Sequence, residues 1–177
     1  GPFRLAVPGI HNVSNALVAI AIGIELEIPV DLIRKGLAAF TGVERRFHLR
    51  GEVGGIMVVD DYGHHPTEVK ATLAAAKQGW DRRLVVLFQP HRYSRTRDCI
   101  GEFAEAFAHA DMLFMTEIYP AGESPIPGVS GAALAETIKS AGHPSVTFLE
   151  RKETLPDQVL PHLRPGDLVL TLGAGDI

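Results

Sequence analysis

The chain has 177 residues, 46% of them hydrophobic and 21% charged, which describes a globular protein with apolar side chains enough for one ordinary core. Its net charge of -4 supplies no general attraction to nucleic acid or to an anionic membrane, and the longest apolar run, residues 16–24, is too short to cross a bilayer. Cys99 is the only cysteine, so an internal disulfide is excluded and a reducing, cytoplasmic setting is expected.

Residues 12–26, rich in Ala, Leu and Ile, are predicted as a helix. Pro29 separates them from a second predicted helix over 31–40, with Asp31 as its N-cap. After Thr41-Gly42 the pattern changes, and residues 47–53 and 56–60 flank Gly54-Gly55 as a hairpin. From there apolar strands (84–88, 112–116, 146–149 and 168–172) alternate with helix-like runs (67–77, 98–109, 131–141 and 153–162). Pro66 suits the first turn of the first of these helices, Trp80 marks its end, and Ser130 is placed to cap the third. Continuous apolar strands alternating with helices predict a doubly wound, mostly parallel α/β sheet covered on both faces, beginning near Arg45. The helical piece before it is too small to fold unaided and is expected to be the tail of a preceding domain. The chain stops directly after a strand, at Gly173-Ala174-Gly175-Asp176-Ile177, where a continuation is expected.

The chemistry gathers at strand ends. Asp60-Asp61-Tyr62-Gly63-His64-His65-Pro66 follows an apolar strand and precedes a helix, the edge where open α/β sheets bind ligands. A metal site using His64, His65 and His91 lacks the usual ligand spacing, so no metal site is expected. Asn12 and Asn15 share a helix face and offer amides suited to a purine edge, or else serve as a cap and a solvated neighbour. Arg45-Arg46 stands at the junction of the two pieces, either to reach phosphates or as a solvated pair. In Gln89-Pro90-His91-Arg92-Tyr93-Ser94-Arg95-Thr96, a helical path would put Arg92 and Arg95 on one face, able to grip a carboxylate or phosphate. Residues 117–128 form a long Pro/Gly-rich loop at the same edge, and Gly173-Ala174-Gly175 can approach a ligand with its backbone. Cys99 reads as a packed thiol. No phosphate loop of the Gly-x-x-x-x-Gly-Lys-Ser/Thr type occurs, so phosphoryl transfer cannot be complete within these residues.

Three ordered motifs, His11-Asn12-Val13-Ser14-Asn15-Ala16-Leu17, Phe40-Thr41-Gly42-Val43-Glu44-Arg45-Arg46-Phe47 and Asp60 to Glu68, resemble the Mur ligase family of peptidoglycan synthesis. Pro90 to Thr96, Ala121-Gly122-Glu123 and Gly173 to Ile177 bring the resemblance nearest to members that join L-alanine to UDP-N-acetylmuramate. It covers essentially the whole chain. What it implies is an ATP- and Mg2+-dependent amide-bond ligase of three domains. Residues 1–44 would be the last helices of the central ATP-binding domain. Residues 45–177 would be the Rossmann-like C-terminal domain, truncated at its end. The phosphate loop, the carbamylated lysine and the UDP-binding domain would lie outside this chain.

By matching position, the resemblance assigns His11, Asn12, Asn15, Arg46 and Asp61 to the nucleotide. Arg46 is also the catalytic assignment, reaching the ATP phosphates, and Asp61 meets the ribose. Tyr62, His64, His91, Arg92 and Arg95 are assigned to L-alanine, with the arginines on its carboxylate. In the implied reaction ATP activates the sugar-nucleotide carboxylate as an acyl phosphate, which the alanine amine attacks. The partners implied are L-alanine, ATP and UDP-N-acetylmuramate, with neither nucleic acid nor membrane, and the fragment alone is expected to be inactive. The alternatives are a ligase for a ready-made murein tripeptide, a stand-alone nucleotide- or amino-acid-binding module, and a metal-dependent hydrolase.

Overall fold

The computed structural model describes residues 1–177. Helix α1 (Ile10–Glu25) and helix α2 (Val30–Ala39) lead the chain. Pro29 occupies the cap position of α2, two residues before the expected Asp31, which lies in the first turn, paired with Arg34 rather than capping. The two helices bury little: only Ala16 and Gly23 of α1 are enclosed, and none of α2. Leu17, Ile22, Leu26 and Leu32 stand exposed.

Strands β1 (His48–Val53) and β2 (Ile56–Asp61) form the expected hairpin. Its turn needs Gly54 and Gly55, whose φ angles of +60° and +77° lie in the left-handed region that side chains resist. Then follow α3 (Pro66–Gly79), β3 (Arg83–Phe88), α4 (Tyr93–Asp98), α5 (Ile100–Ala106), β4 (Met112–Thr116), α6 (Gly131–Ser140), β5 (Val146–Leu149), α7 (Leu155–Val159) and β6 (Asp167–Leu172). The six strands make one sheet in the order β1-β2-β6-β3-β4-β5, parallel throughout except for the β1–β2 hairpin.

Two predicted helices are broken. The run expected over 98–109 starts earlier and divides into α4 and α5 at Cys99, whose ψ of +15° leaves the helical path. The run over 153–162 becomes a 3-10 turn, the short α7 and a second 3-10 turn, because Pro156 and Pro161 each lack the N–H that a continuous helix requires. Both faces of the sheet carry helices, but unequally. The larger core joins alternate residues of the strands to α3, α5 and α6, while the other face packs Val85, Leu87, Phe114 and Val169 against Leu155 and Val159 of α7.

Caps at the sheet's carboxyl edge match their sequence signals. Ser130 accepts the Ala133 N–H at 3.1 Å, and Pro66 opens α3. Trp80 ends α3 and stacks on Phe47 with centroids 5.3 Å apart. Phe88, the last residue of β3, is fully buried against Phe103 and Phe107 and supports the loop beginning at Gln89. Phe88→Ala is expected to lower unfolding free energy by about 3–5 kcal/mol, through lost transfer energy and the cavity left behind. Urea denaturation read by circular dichroism measures this.

Candidate active site

β2, β6, β3 and β4 all end at one edge, which brings Asp61, Gly173, Gln89 and Glu117 into neighbouring positions. Because successive strand residues point to opposite faces, Met57, Val59 and Asp61 turn to the α3 side while Asp60 turns away. Asp61 is buried, and three donors hold its carboxylate. Oδ2 accepts the Phe47 N–H at 2.7 Å; Oδ1 accepts the Gly63 N–H at 2.7 Å and the Thr72 hydroxyl at 3.4 Å. Its carbonyl accepts the Gly173 N–H at 3.2 Å. Asp60 instead accepts from the Thr171 hydroxyl at 2.8 Å and pairs with Arg45 at 3.3 Å.

Arg45 is the residue that sequence reasoning passed over in favour of Arg46. Its guanidinium donates to the carbonyls of Gly173 at 2.6 Å and Gly175 at 3.1 Å, and lies 5.1 Å above the Tyr62 ring. Its own carbonyl accepts the Tyr62 N–H at 2.6 Å. Arg45 and Phe47 hold φ angles of +57° and +47°, an uncommon conformation for non-glycine residues. Neighbouring arginines carry equal weight in a sequence, so no local signal separated their roles.

The turn from β2 into α3 is a capping box. The His65 ring accepts the Thr67 N–H at 3.3 Å, while Glu68 Oε2 accepts the N–H groups of His64 at 3.0 Å and His65 at 3.1 Å. Burial alone would raise the Glu68 carboxyl; those two N–H donors, with His64 and Arg46 nearby, outweigh it and hold the group below its ordinary range. Cys99 Sγ lies 3.8 Å from His65 Nε2, and burial pushes the thiol up, which fits a packed role.

The five residues assigned to nucleotide meet in one place. His11, Asn12, Asn15, Arg46 and Asp61 all line a cavity of about 720 Å³ between α1, α2 and the start of α3, with Leu37, Phe40 and Phe47 among its apolar walls. The Asn12 side-chain amide donates to Pro8 O at 2.6 Å, and its oxygen accepts from Asn15 Nδ2 at 3.5 Å.

The other five form a second cluster on the far side of the Asp61–His64 turn. Tyr62 and His64 meet edge to face at 5.4 Å, and His64 and His91 lie 5.6 Å apart. Arg92 and Arg95 do not share a helix face as expected. Arg92 is the N-cap residue of α4 at φ +75°, and only Arg95 is helical. Arg95 folds back, donating to His91 O at 3.0 Å and to His91 Nδ1 at 3.2 Å. A guanidinium only donates, so His91 Nδ1 must accept and the ring is neutral with its proton on Nε2. His64 Nδ1 lies 3.0 Å from Tyr62 O, which can only accept, so that nitrogen carries a proton. No group of three or more His, Cys, Asp or Glu side chains has the arrangement of a metal site.

The profile described as "Mur ligase, glutamate ligase domain" matches residues 45–175. The chain belongs to the Mur ligase family. Among curated Mur ligases it is 56% identical, over its whole length, to the UDP-N-acetylmuramate–L-alanine ligases of Geobacter sulfurreducens and Myxococcus xanthus. It spans only 38% of the length of each. Among solved Mur ligase structures, the UDP-N-acetylmuramate–alanine ligase of Thermotoga maritima superimposes with a TM-score of 0.83 at 33% identity, over 98% of this chain and 36% of that one. The murein peptide ligase of Psychrobacter arcticus gives 0.69 at 29% identity, over 98% of this chain and 36% of that one. No helix is long and apolar enough to cross a membrane.

Burial, followed by the positive neighbours His64, Arg95 and Arg92, lowers the His91 pKa from its ordinary 6.5. An NMR titration should therefore place the His91 midpoint below 6.5. Arg95→Ala, which removes one of those cations, should raise it.

Proposed function

We propose that the chain is the amino-acid-binding part of an ATP-dependent ligase that joins L-alanine to UDP-N-acetylmuramate in the cytoplasm. Residues 1–44 then close the central ATP-binding domain, and residues 45–177 are most of the C-terminal domain. The observation that carries the reading is the meeting of two site halves at one turn. A cavity lined by His11, Asn12, Asn15, Arg46 and Asp61 lies on one side of it, and the cluster of Tyr62, His64, His91, Arg92 and Arg95 on the other. The exposed apolar residues of α1 and α2 find their partners, on this reading, in the rest of the central domain.

The cavity fits ATP. Its apolar walls and the Asn12 and Asn15 amides suit a purine, and Arg46 supplies a cation on the phosphate side. Bound ATP supplies the activation of the sugar-nucleotide carboxylate as an acyl phosphate, with Mg2+ held at the central domain's phosphate loop. The chain's own residues bind and orient. Asp61 borders the ribose position, and Arg46 neutralises phosphate charge. Arg92 holds the alanine carboxylate while Tyr62 and His64 wall the pocket. None of these groups is a covalent nucleophile, so the contribution is orientation and charge stabilisation.

In the full-length ligase carrying this sequence, Arg92→Ala should raise KM for L-alanine by roughly ten-fold or more, the worth of one charge-assisted contact, and leave KM for ATP nearly unchanged. Initial rates with UDP-N-acetylmuramate, ATP and varied L-alanine measure it, and an unaltered alanine KM would refute the assignment. The 177 residues alone should not ligate.

A further inference from the structure

The loop after β4 lies along the loop after β3 and holds it. Tyr119 N–H donates to Pro90 O at 2.8 Å, Arg92 N–H donates to Tyr119 O at 2.9 Å, and the His91 and Tyr119 rings stack at 5.5 Å. Glu123 completes this contact from four residues further on. Its Oε2 accepts the Ser94 N–H at 2.9 Å, its Oε1 accepts the Ser94 hydroxyl at 2.6 Å, and Oε1 lies 3.7 Å from Arg92 Nη1. We propose that Glu123 is the positioning residue of the amino-acid pocket, fixing the first turn of α4 through Ser94 and aiming the Arg92 guanidinium through its charge. The proposal rests on the reading of Arg92 as the group that takes the alanine carboxylate.

Arg92 needs such a device for two reasons. Its backbone sits at φ +75°, so neighbouring tethers must hold the residue in a conformation it would not choose. Its side chain is 48% exposed, and a long exposed side chain spends its time in many rotamers unless something orients it. The separation of 3.7 Å is longer than a hydrogen bond. Glu123 therefore biases the guanidinium without saturating its fork of donors, and an incoming carboxylate can still be met along another edge. The Ser94 hydroxyl and N–H also draw the Glu123 carboxyl below its ordinary range, so it stays anionic wherever the pocket works near neutral pH. An oriented guanidinium loses less entropy on capturing its ligand than a free one.

Two substitutions separate the tether from the charge. Glu123→Gln keeps an acceptor for the Ser94 N–H and a donor for its hydroxyl but removes the charge facing Arg92; Glu123→Ala removes both. In the full-length ligase, Glu123→Ala should raise KM for L-alanine about ten-fold, with kcat and KM for ATP within about two-fold of wild type. Glu123→Gln should show a smaller rise in the same constant alone. An alanine KM unmoved by either variant, or alanine and ATP constants rising together, would overturn the proposal. If Glu123→Ala fails to fold, the Gln variant decides by the same criterion. Arg92→Ala, run alongside, separates the two levels. An effect of Arg92→Ala with none from Glu123 removes only this inference, whereas no effect of Arg92→Ala removes the reading beneath it as well.

Discussion

Asp61 joins four pieces of chain, three through its carboxylate and one through its backbone carbonyl. Through Phe47 it holds the segment leaving the helical piece, through Gly63 the turn after β2, through Thr72 the body of α3, and through its own carbonyl the glycine turn after β6. A buried carboxylate is tolerated only when such donors surround it, and once they do, moving any one piece strands a charge or an N–H. The cavity on one side and the ring cluster on the other thus share a single anchor. Arg45 reinforces it from outside, binding the carbonyls of Gly173 and Gly175 and covering Tyr62.

This arrangement accounts for the division of labour at the edge. Asp61 faces α3 and the cavity beside α1 and α2, while the next side chains, Tyr62 and His64, join the ring cluster with His91. A ligand on either side meets groups whose backbones are already fixed, which is the condition for catalysis by orientation. The neutral His91 ring, locked by Arg95 at Nδ1, adds a rigid wall that also stacks on Tyr119. Arg95 is committed to His91, while the Arg92 guanidinium stands half-exposed.

Much of this was legible in the residues because the signals were local. The start of α3 shows as Pro66, the hairpin as paired glycines, and the strands as short apolar runs. Strand alternation also explains why Asp61, in step with Met57 and Val59, is buried on the α3 side while Asp60 is not. What could not be read depends on distance or on backbone torsion. Cys99 breaks a helix without Gly or Pro to announce it, and the positive φ of Arg92 takes that residue off the face it would share with Arg95. The Ser94–Glu123 tether spans 29 residues, and Arg45 reaches 128 residues to Gly173, separations that no spacing rule registers.

The most direct test of the shared anchor is Asp61→Asn in the full-length ligase, with KM for ATP and for L-alanine measured on the same preparation. An asparagine can accept at one end only, so its amide would oppose either the Phe47 or the Gly63 N–H and release one piece of the edge. Both constants should rise together in a variant that keeps its folded circular dichroism. A rise in one constant alone, or in neither, would contradict the account.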